Sequence, residues 1–319
     1  MQRSRAALSL SGFCITAFAA TAAHGQAFPS KPIRILTTEA GGGGDLVARV
    51  ICQALTSALG QPVIIDNRGL RGAEIVAKAA GDGHTLLSYG NPLWLAPFLH
   101  AHVAFDPLRD FAPVTLSVSS PNVLVVNATV AATTVSDLIA LARGRKNALN
   151  FASSGVGSSN HLAGELFRSM ANITLVHVPY KGGGAVLPDL LSGRVPLHFS
   201  SVSTAAPHVR AGRLKAIAMT TPKRSPSMPE VPTFDEAGLK GYDVTGWYGL
   251  LAPAKTPTPL VNRINRELQQ VLVDAEALKR LAQAGIEPAP GTPAEFSALI
   301  KVEIPKWAKV IKAAGVQPE

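Results

Sequence analysis

Seven consecutive residues, Glu39-Ala40-Gly41-Gly42-Gly43-Gly44-Asp45, stand out for the chemistry they permit. Four glycines let a backbone turn sharply and present its N–H groups with no Cβ in the way. They fall just ahead of a run with helical spacing. The unpaired N–H groups and the dipole of a helix start favour an anion. No Lys-Ser/Thr follows, so this is not a Walker loop, and Leu46 stands where a dinucleotide fingerprint needs its third glycine. The plainer alternative is a flexible or tight turn.

A second stretch repeats the logic. Ser153-Ser154-Gly155-Val156-Gly157-Ser158-Ser159 precedes a helical run carrying His161, so glycines, hydroxyls and a helix start again make a nest for an oxyanion. Its alternative is a capped helix behind a mobile loop. Facing each other, the two loops would grip one small anion from both sides. Further candidates are Tyr89, Gly90 and Asn91 after one strand run, Tyr180, Lys181 and Gly182 after another, and Ser200 and Ser201 after a third. Lys181 could supply charge, although a lone lysine beside glycines reads equally as solvated surface. In open parallel sheets ligands bind at the carboxyl ends of strands, where all these loops fall.

Catalytic readings are weaker. Residues 155–159 read Gly-Val-Gly-Ser-Ser and lack the Gly-x-Ser-x-Gly elbow. A hydrolase using Ser154 or Ser158 with His161 stays open as the rival, with His161 otherwise read as a polar surface or cap residue. His100 and His102 have no third ligand nearby, so no metal site is expected. No carboxylate pair stands out for acid–base work. Cys52 falls inside a helical pattern and is expected to be buried and inert.

These loops need elements to position them. Residues 33–36, 62–66 and 85–89 read as strands, with helices over 45–59, capped by Asp45 and stopped by Gly60, and over 73–80. That βαβαβ rhythm predicts a parallel sheet covered on both faces. After a turn-rich span, strands are expected over 123–126, 149–153, 175–178, 197–200 and 216–220. Helices fall between them, one from about 159 to 170, and Thr134 and Asp137 form a capping-box pair. The stretch 222–232 holds four prolines and reads as irregular, and 248–251 is an apolar run. Two amphipathic helices, 258–273 and 293–313, close the chain without strands of their own, so they must cover a sheet made elsewhere. The expected division is therefore a first domain of residues 28–122 plus 247–319 and an inserted second domain, 123–246, with crossings near Asn122 and Gly246.

Composition narrows the class. The charged fraction is 16% and the hydrophobic fraction 47%, as in a globular chain. Arg3 and Arg5, an apolar stretch over 6–23, and small residues at Ala23, Gly25 and Ala27 read as a secretory signal peptide spanning 1–27. Its removal would lower the formal net charge from +9 to +7 and leave Cys52 as the sole cysteine, so no internal disulfide is expected. Lysines and arginines are spread along the chain and no basic run interleaves with aromatics, which argues against nucleic acid.

The blocks also carry a resemblance. Phe28-Pro29-Ser30-Lys31-Pro32-Ile33-Arg34, Leu59-Gly60-Gln61-Pro62-Val63, Asp66-Asn67-Arg68, Ala77-Lys78-Ala79-Ala80 and Asp82-Gly83-His84-Thr85-Leu86 occur in order. So do Pro121-Asn122-Val123-Leu124-Val125-Val126-Asn127, Asn150-Phe151-Ala152-Ser153-Ser154-Gly155, His161-Leu162-Ala163-Gly164-Glu165-Leu166-Phe167, His177-Val178-Pro179-Tyr180-Lys181-Gly182 and Gly249-Leu250-Leu251-Ala252-Pro253. Together they resemble the periplasmic receptors of tripartite tricarboxylate transporters, the Bug receptors. The resemblance implies an α/β, two-domain periplasmic-binding-protein fold, a type II-like Venus flytrap closing on its ligand. It implies carboxylates held by backbone N–H groups and ordered water, delivery to integral-membrane transporter subunits, no cofactor and no catalysis. A monomer is expected, and a sensor on the same fold is the alternative output. Three departures stand out: Glu39 and Ala40 before the glycines, a short segment over 68–73, and His84 where tyrosine is common. A buried Glu39 would repel a second ligand carboxylate and pair with an ammonium, which keeps zwitterionic or amide-containing ligands open.

Overall fold

The computed structural model describes residues 28–319 apart from 41, 42, 145, 146, 284, 317 and 319. The expected leader and two of the four loop glycines, Gly41 and Gly42, lie outside the described residues.

In chain order the first elements are β1 (Ile33–Thr37), α1 (Gly43–Leu59), β2 (Val63–Asn67), α2 (Leu70–Lys78), β3 (Thr85–Gly90), α3 (Asn91–Leu99) and β4 (Phe111–Ser120). The middle of the chain supplies β5 (Asn122–Asn127), α4 (Val135–Gly144), β6 (Leu149–Ser153), α5 (Ser159–Ala171), β7 (Leu175–Pro179), α6 (Gly183–Leu191), β8 (Leu197–Ser201), α7 (Val202–Arg210) and β9 (Leu214–Met219). The chain ends with β10 (Gly246–Pro253), α8 (Thr258–Val271), α9 (Ala275–Gln283), β11 (Glu287–Pro288) and α10 (Pro293–Ala314).

Two sheets result, in the orders β11-β4-β10-β3-β1-β2 and β7-β6-β8-β5-β9. Neither is purely parallel, contrary to the rhythm of the sequence. β10 runs antiparallel to both β3 and β4, and β5 antiparallel to both β8 and β9. The reason lies at the crossings. β4 delivers the chain into β5 through Pro121 alone, and the returning chain enters the first sheet at Gly246 in the opposite sense. Thr220 ties the two crossings together: its N–H and hydroxyl donate to the Asn122 carbonyl, and the Val244 N–H donates to the Thr220 carbonyl.

Other expectations also shift. The turn-rich span after Tyr89 contains α3, with Pro97 inside it, and the long strand β4. Three helices, not two, close the chain, and the short β11 stands among them. Asp45, expected ahead of α1, lies within its first turn. Cys52 is half-buried, with its thiol donating to the Val63 carbonyl.

Side-chain alternation along the strands divides the core. Ile33, Ile35, Leu86 and Leu250 face α1, α8 and α9, whereas Leu36, Leu87 and Leu251 face a larger core that also holds Phe151, Phe167, Phe199 and Trp307. Val123 and Val125 point the other way, toward α6 and α7. The larger core therefore joins facing layers of both sheets. Within it α10 buries Phe296, Ile300, Trp307 and Ile311, and it packs on β4, α3 and α5.

Candidate binding site

Helix starts α1, α2 and α3 lie at the carboxyl ends of the parallel strands β1, β2 and β3, and α5, α6 and α7 follow β6, β7 and β8. The returning crossing at Gly246 brings several of them together. Asn91, at the start of α3, accepts the Trp247 N–H at 2.7 Å and donates to the Thr245 carbonyl at 3.4 Å. Ser159, at the start of α5, accepts from the Asn122 amide at 3.0 Å, and its hydroxyl would lie 3.4 Å from a Cβ placed on Gly246. On the other side the Tyr248 side chain lies against the start of α1 and the end of β3: a Cβ on Gly43 would stand 3.0 Å from its hydroxyl, and Cβ atoms on Gly44 and Gly90 would stand 3.0–3.1 Å from its ring. A Cβ at Gly44 or Gly90 would also meet Thr38 at 2.6 Å or the Trp247 carbonyl at 2.4 Å, so these glycines permit the close approach of residues 247 and 248. Gly43, Gly90, Asn91 and Ser159 thus surround one short segment, 246–248.

Glu39 is exposed, with its carboxylate over Gly69 at the start of α2; a Cβ on Gly69 would meet it at 2.3 Å. Ala40 beside it is also exposed. Burial first, then the charge of Glu39 and the neighbouring Tyr248, raises the Tyr89 hydroxyl well above its ordinary value. Asp45 is buried and already engaged, accepting from Asn67 at 2.9 Å and pairing with Arg49 at 3.0 Å. It braces the loop, since Asn67 also donates to the Thr38 carbonyl at 2.8 Å.

The second loop is held from within. Ser153 accepts the Gly155 N–H, and Ser158 caps α5 by accepting the His161 N–H while its own hydroxyl donates to the Gly155 carbonyl. Ser154 donates to Asn160, whose amide in turn reaches Asn122 and the Phe199 carbonyl. His161 is not at the surface: it is 2% exposed, and its Nδ1 accepts the Gly157 N–H at 3.1 Å. Its imidazole is therefore turned toward the loop backbone, while Ser154 and Ser158 direct their hydroxyls to Asn160 and Gly155. Gly157 rests on the first sheet's layer, where a Cβ would stand 2.3 Å from Leu99.

The third loop joins the second through its backbone. The Tyr180 and Gly182 N–H groups donate to the Ser153 and Ser154 carbonyls, but the Tyr180 hydroxyl turns away to Asp189 at 2.8 Å. Lys181 is exposed. Ser200 is buried within β8, and Ser201 donates to Thr204 at 2.8 Å in the first turn of α7.

Sequence reasoning missed Trp247, Tyr248, Leu99, Asn122 and His177. Tyr248 carried a usable signal as the polar-tipped aromatic at the edge of an apolar run. The others depend on which strand the returning chain joins. Two surface cavities of about 560 and 660 Å³ lie elsewhere, one beside α1 and α9 and one beside Asn127 and Asn150. Among the described residues no group of three His, Cys, Asp or Glu side chains could hold a metal ion, and no helix is long and apolar enough to cross a membrane.

A family model described as tripartite tricarboxylate transporter family receptor matches residues 47–316. The chain belongs to that receptor family. Three solved structures are similar over nearly the whole chain. Rpa4515 of Rhodopseudomonas palustris, solved with adipate, is 34% identical at a TM-score of 0.82, covering 92% of this chain and 100% of its own. The periplasmic binding protein BugD is 30% identical at 0.79, with 92% and 100% covered. MatC of R. palustris, solved with bound malate, is 31% identical at 0.78, with 89% and 100% covered. The receptor-family resemblance of the sequence blocks and the periplasmic-binding-protein fold expected from it are both the right ones.

Proposed function

We propose that this chain is a periplasmic solute-binding receptor that captures a small carboxylate and passes it to integral-membrane subunits of a tripartite transporter, acting as a monomer without cofactor or catalysis. The gathering of the α1, α3 and α5 starts around residues 246–248 carries the reading, because backbone N–H groups at helix starts are ready-made carboxylate donors. Residues 28–122 with 247–319 form one lobe and 123–246 the other, and the ligand lies between them. The loops around Glu39 to Asp45, Tyr89 to Asn91 and Ser153 to His161 line its site, with residues 180–182, Ser200 and Ser201 at its margin. Adipate and malate, bound by two similar proteins, set the expected size and charge. The engagement of Ser154, Ser158 and His161 with the backbone and Asn160 favours binding over a Ser/His hydrolase.

A melting screen of adipate, malate, tricarboxylates, amino acids and aromatic acids tests this. A cognate acid at about 100 times its Kd stabilises the folded state by about 2.7 kcal/mol, a visible rise in Tm. No shift with any acid, together with turnover of a panel compound that Ser158→Ala abolishes, would overturn the reading in favour of the hydrolase.

A further inference from the structure

Beneath the β6–α5 loop two histidine rings stack with centroids 4.0 Å apart and planes 18° from parallel. Phe151 continues the stack at 5.0 Å from His177, and α5 crosses it at Gly164, where a Cβ would come within 2.0 Å of the Phe151 ring. Each histidine reaches one glycine of the loop. His161 Nδ1 accepts the Gly157 N–H directly at 3.1 Å, which places its proton on Nε2, facing Glu165 at 3.8 Å. His177 Nε2 lies 2.6 Å from the Ser153 hydroxyl, and that oxygen accepts the Gly155 N–H at 3.1 Å. Both glycines have positive φ, 136° at Gly155 and 74° at Gly157, conformations that a side chain rarely adopts and that the two acceptors hold in place. Ser158 takes the His161 N–H. Among the described residues the N–H groups of Ser159 and Asn160 are then the unclaimed donors of this helix start.

We propose that His161 and His177 are positioning residues of the binding loop: an inward-facing stacked pair that claims the Gly157 amide directly and the Gly155 amide through Ser153, and leaves those of Ser159 and Asn160 to the ligand. This rests on the reading that the β6–α5 loop faces the ligand.

Two variants separate the acceptor from the ring. His161→Phe keeps the stack and removes the acceptor. His161→Asn removes the ring and keeps an oxygen near the place of Nδ1. Amide exchange at Gly157 is measured by NMR in the ligand-free protein, with affinity for adipate and malate by calorimetry and Tm alongside. Loss of one hydrogen bond predicts exchange at Gly157 faster by about tenfold, and acid binding weaker by a similar factor, in His161→Phe at a near-native Tm. His161→Asn keeps slow exchange and affinity despite a lower Tm. Unchanged Gly157 exchange in His161→Phe overturns the proposal, as does affinity that merely follows Tm across the variants. If neither acid binds the parent protein, those ligands fail under the proposed function while the exchange measurement still decides the role of the ring. Should His161→Phe not fold, His177→Phe is read at Gly155, where faster exchange supports the proposal and unchanged exchange overturns it.

Discussion

At the scale of single residues, several side chains singled out by the sequence are engaged in holding loop backbone and helix starts. Asp45 braces α1 to Asn67, Ser158 caps α5, and His161 fastens Gly157. Glu39 differs, because its exposed carboxylate makes no ion pair among the described residues and stands over the start of α2 beside buried Tyr89. A fixed negative charge there opposes a second ligand carboxylate and favours an ammonium or amide donor. Glu39→Gln is accordingly expected to improve binding of a dicarboxylate relative to an amino acid of the same length by about threefold or more, a modest factor because solvent screens an exposed charge. Competitive titration of adipate against a six-carbon amino acid checks it, and an unchanged preference removes Glu39 from selectivity.

Among the elements, α10 is the one that both sheets need. It covers β4 of the first sheet and packs on α5 of the second, with Trp307 fully buried and donating its Nε1 proton to Glu303 at 2.5 Å. Thr292 and Glu295 close a reciprocal capping box at its start, and Gly315 ends it at φ 69°. Thr292→Ala should destabilise the protein by about 1 kcal/mol, read as a lower midpoint in urea at unchanged slope. A loss below about 0.3 kcal/mol would mean that tertiary packing alone fixes the helix start. The helical spacing of Phe296, Ile300, Trp307 and Ile311 made α10 legible in the sequence, as the local cap made α4. The parallel strands β1, β2 and β3 were legible as short apolar runs ending in glycine or polar residues. What was not legible was nonlocal. α3 hid behind Pro97, which lies inside the helix against its local preference and is tolerated there because α3 is buried against α10, β3 and β10. The antiparallel sense of β10 is set by where the chain re-enters the first sheet, which no local pattern encodes. For the same reason the helix starts could be named from glycine and serine content, whereas the segment 246–248 that draws them together could not.

For the molecule as a whole, the buried histidines tie stability to pH. Burial, together with His177 and Arg168, holds His161 down to about 3; burial alone holds His177 to about 4, and burial against a bond to the Ala152 carbonyl holds His198 to about 4. An unfolded histidine titrates near 6.5. Between about pH 6.5 and 4 the unfolded chain therefore binds protons that the folded chain refuses, so stability rises with pH across that window and falls on acidification, by up to about 1.4 kcal/mol per pH unit for each histidine. The stacked pair strengthens the effect, since a proton on either ring repels one on the other. Glu165 works in the opposite sense, because burial raises its carboxyl and the folded state takes up a proton there sooner, offsetting part of the loss at the acid end. Asp66, held low by Arg34, and Asp82, where burial is outweighed by bonds to His84 and Lys31, lose their contribution as pH falls from the ordinary carboxylate value downward, so they add little to the slope between pH 6.5 and 4.5. Urea midpoints measured at half-unit steps across that interval are expected to fall steadily as pH is lowered. A flat or rising profile would mean that one or more of these rings is charged in the native protein, and the neutral His161 that accepts the Gly157 amide would be the first assignment to fall.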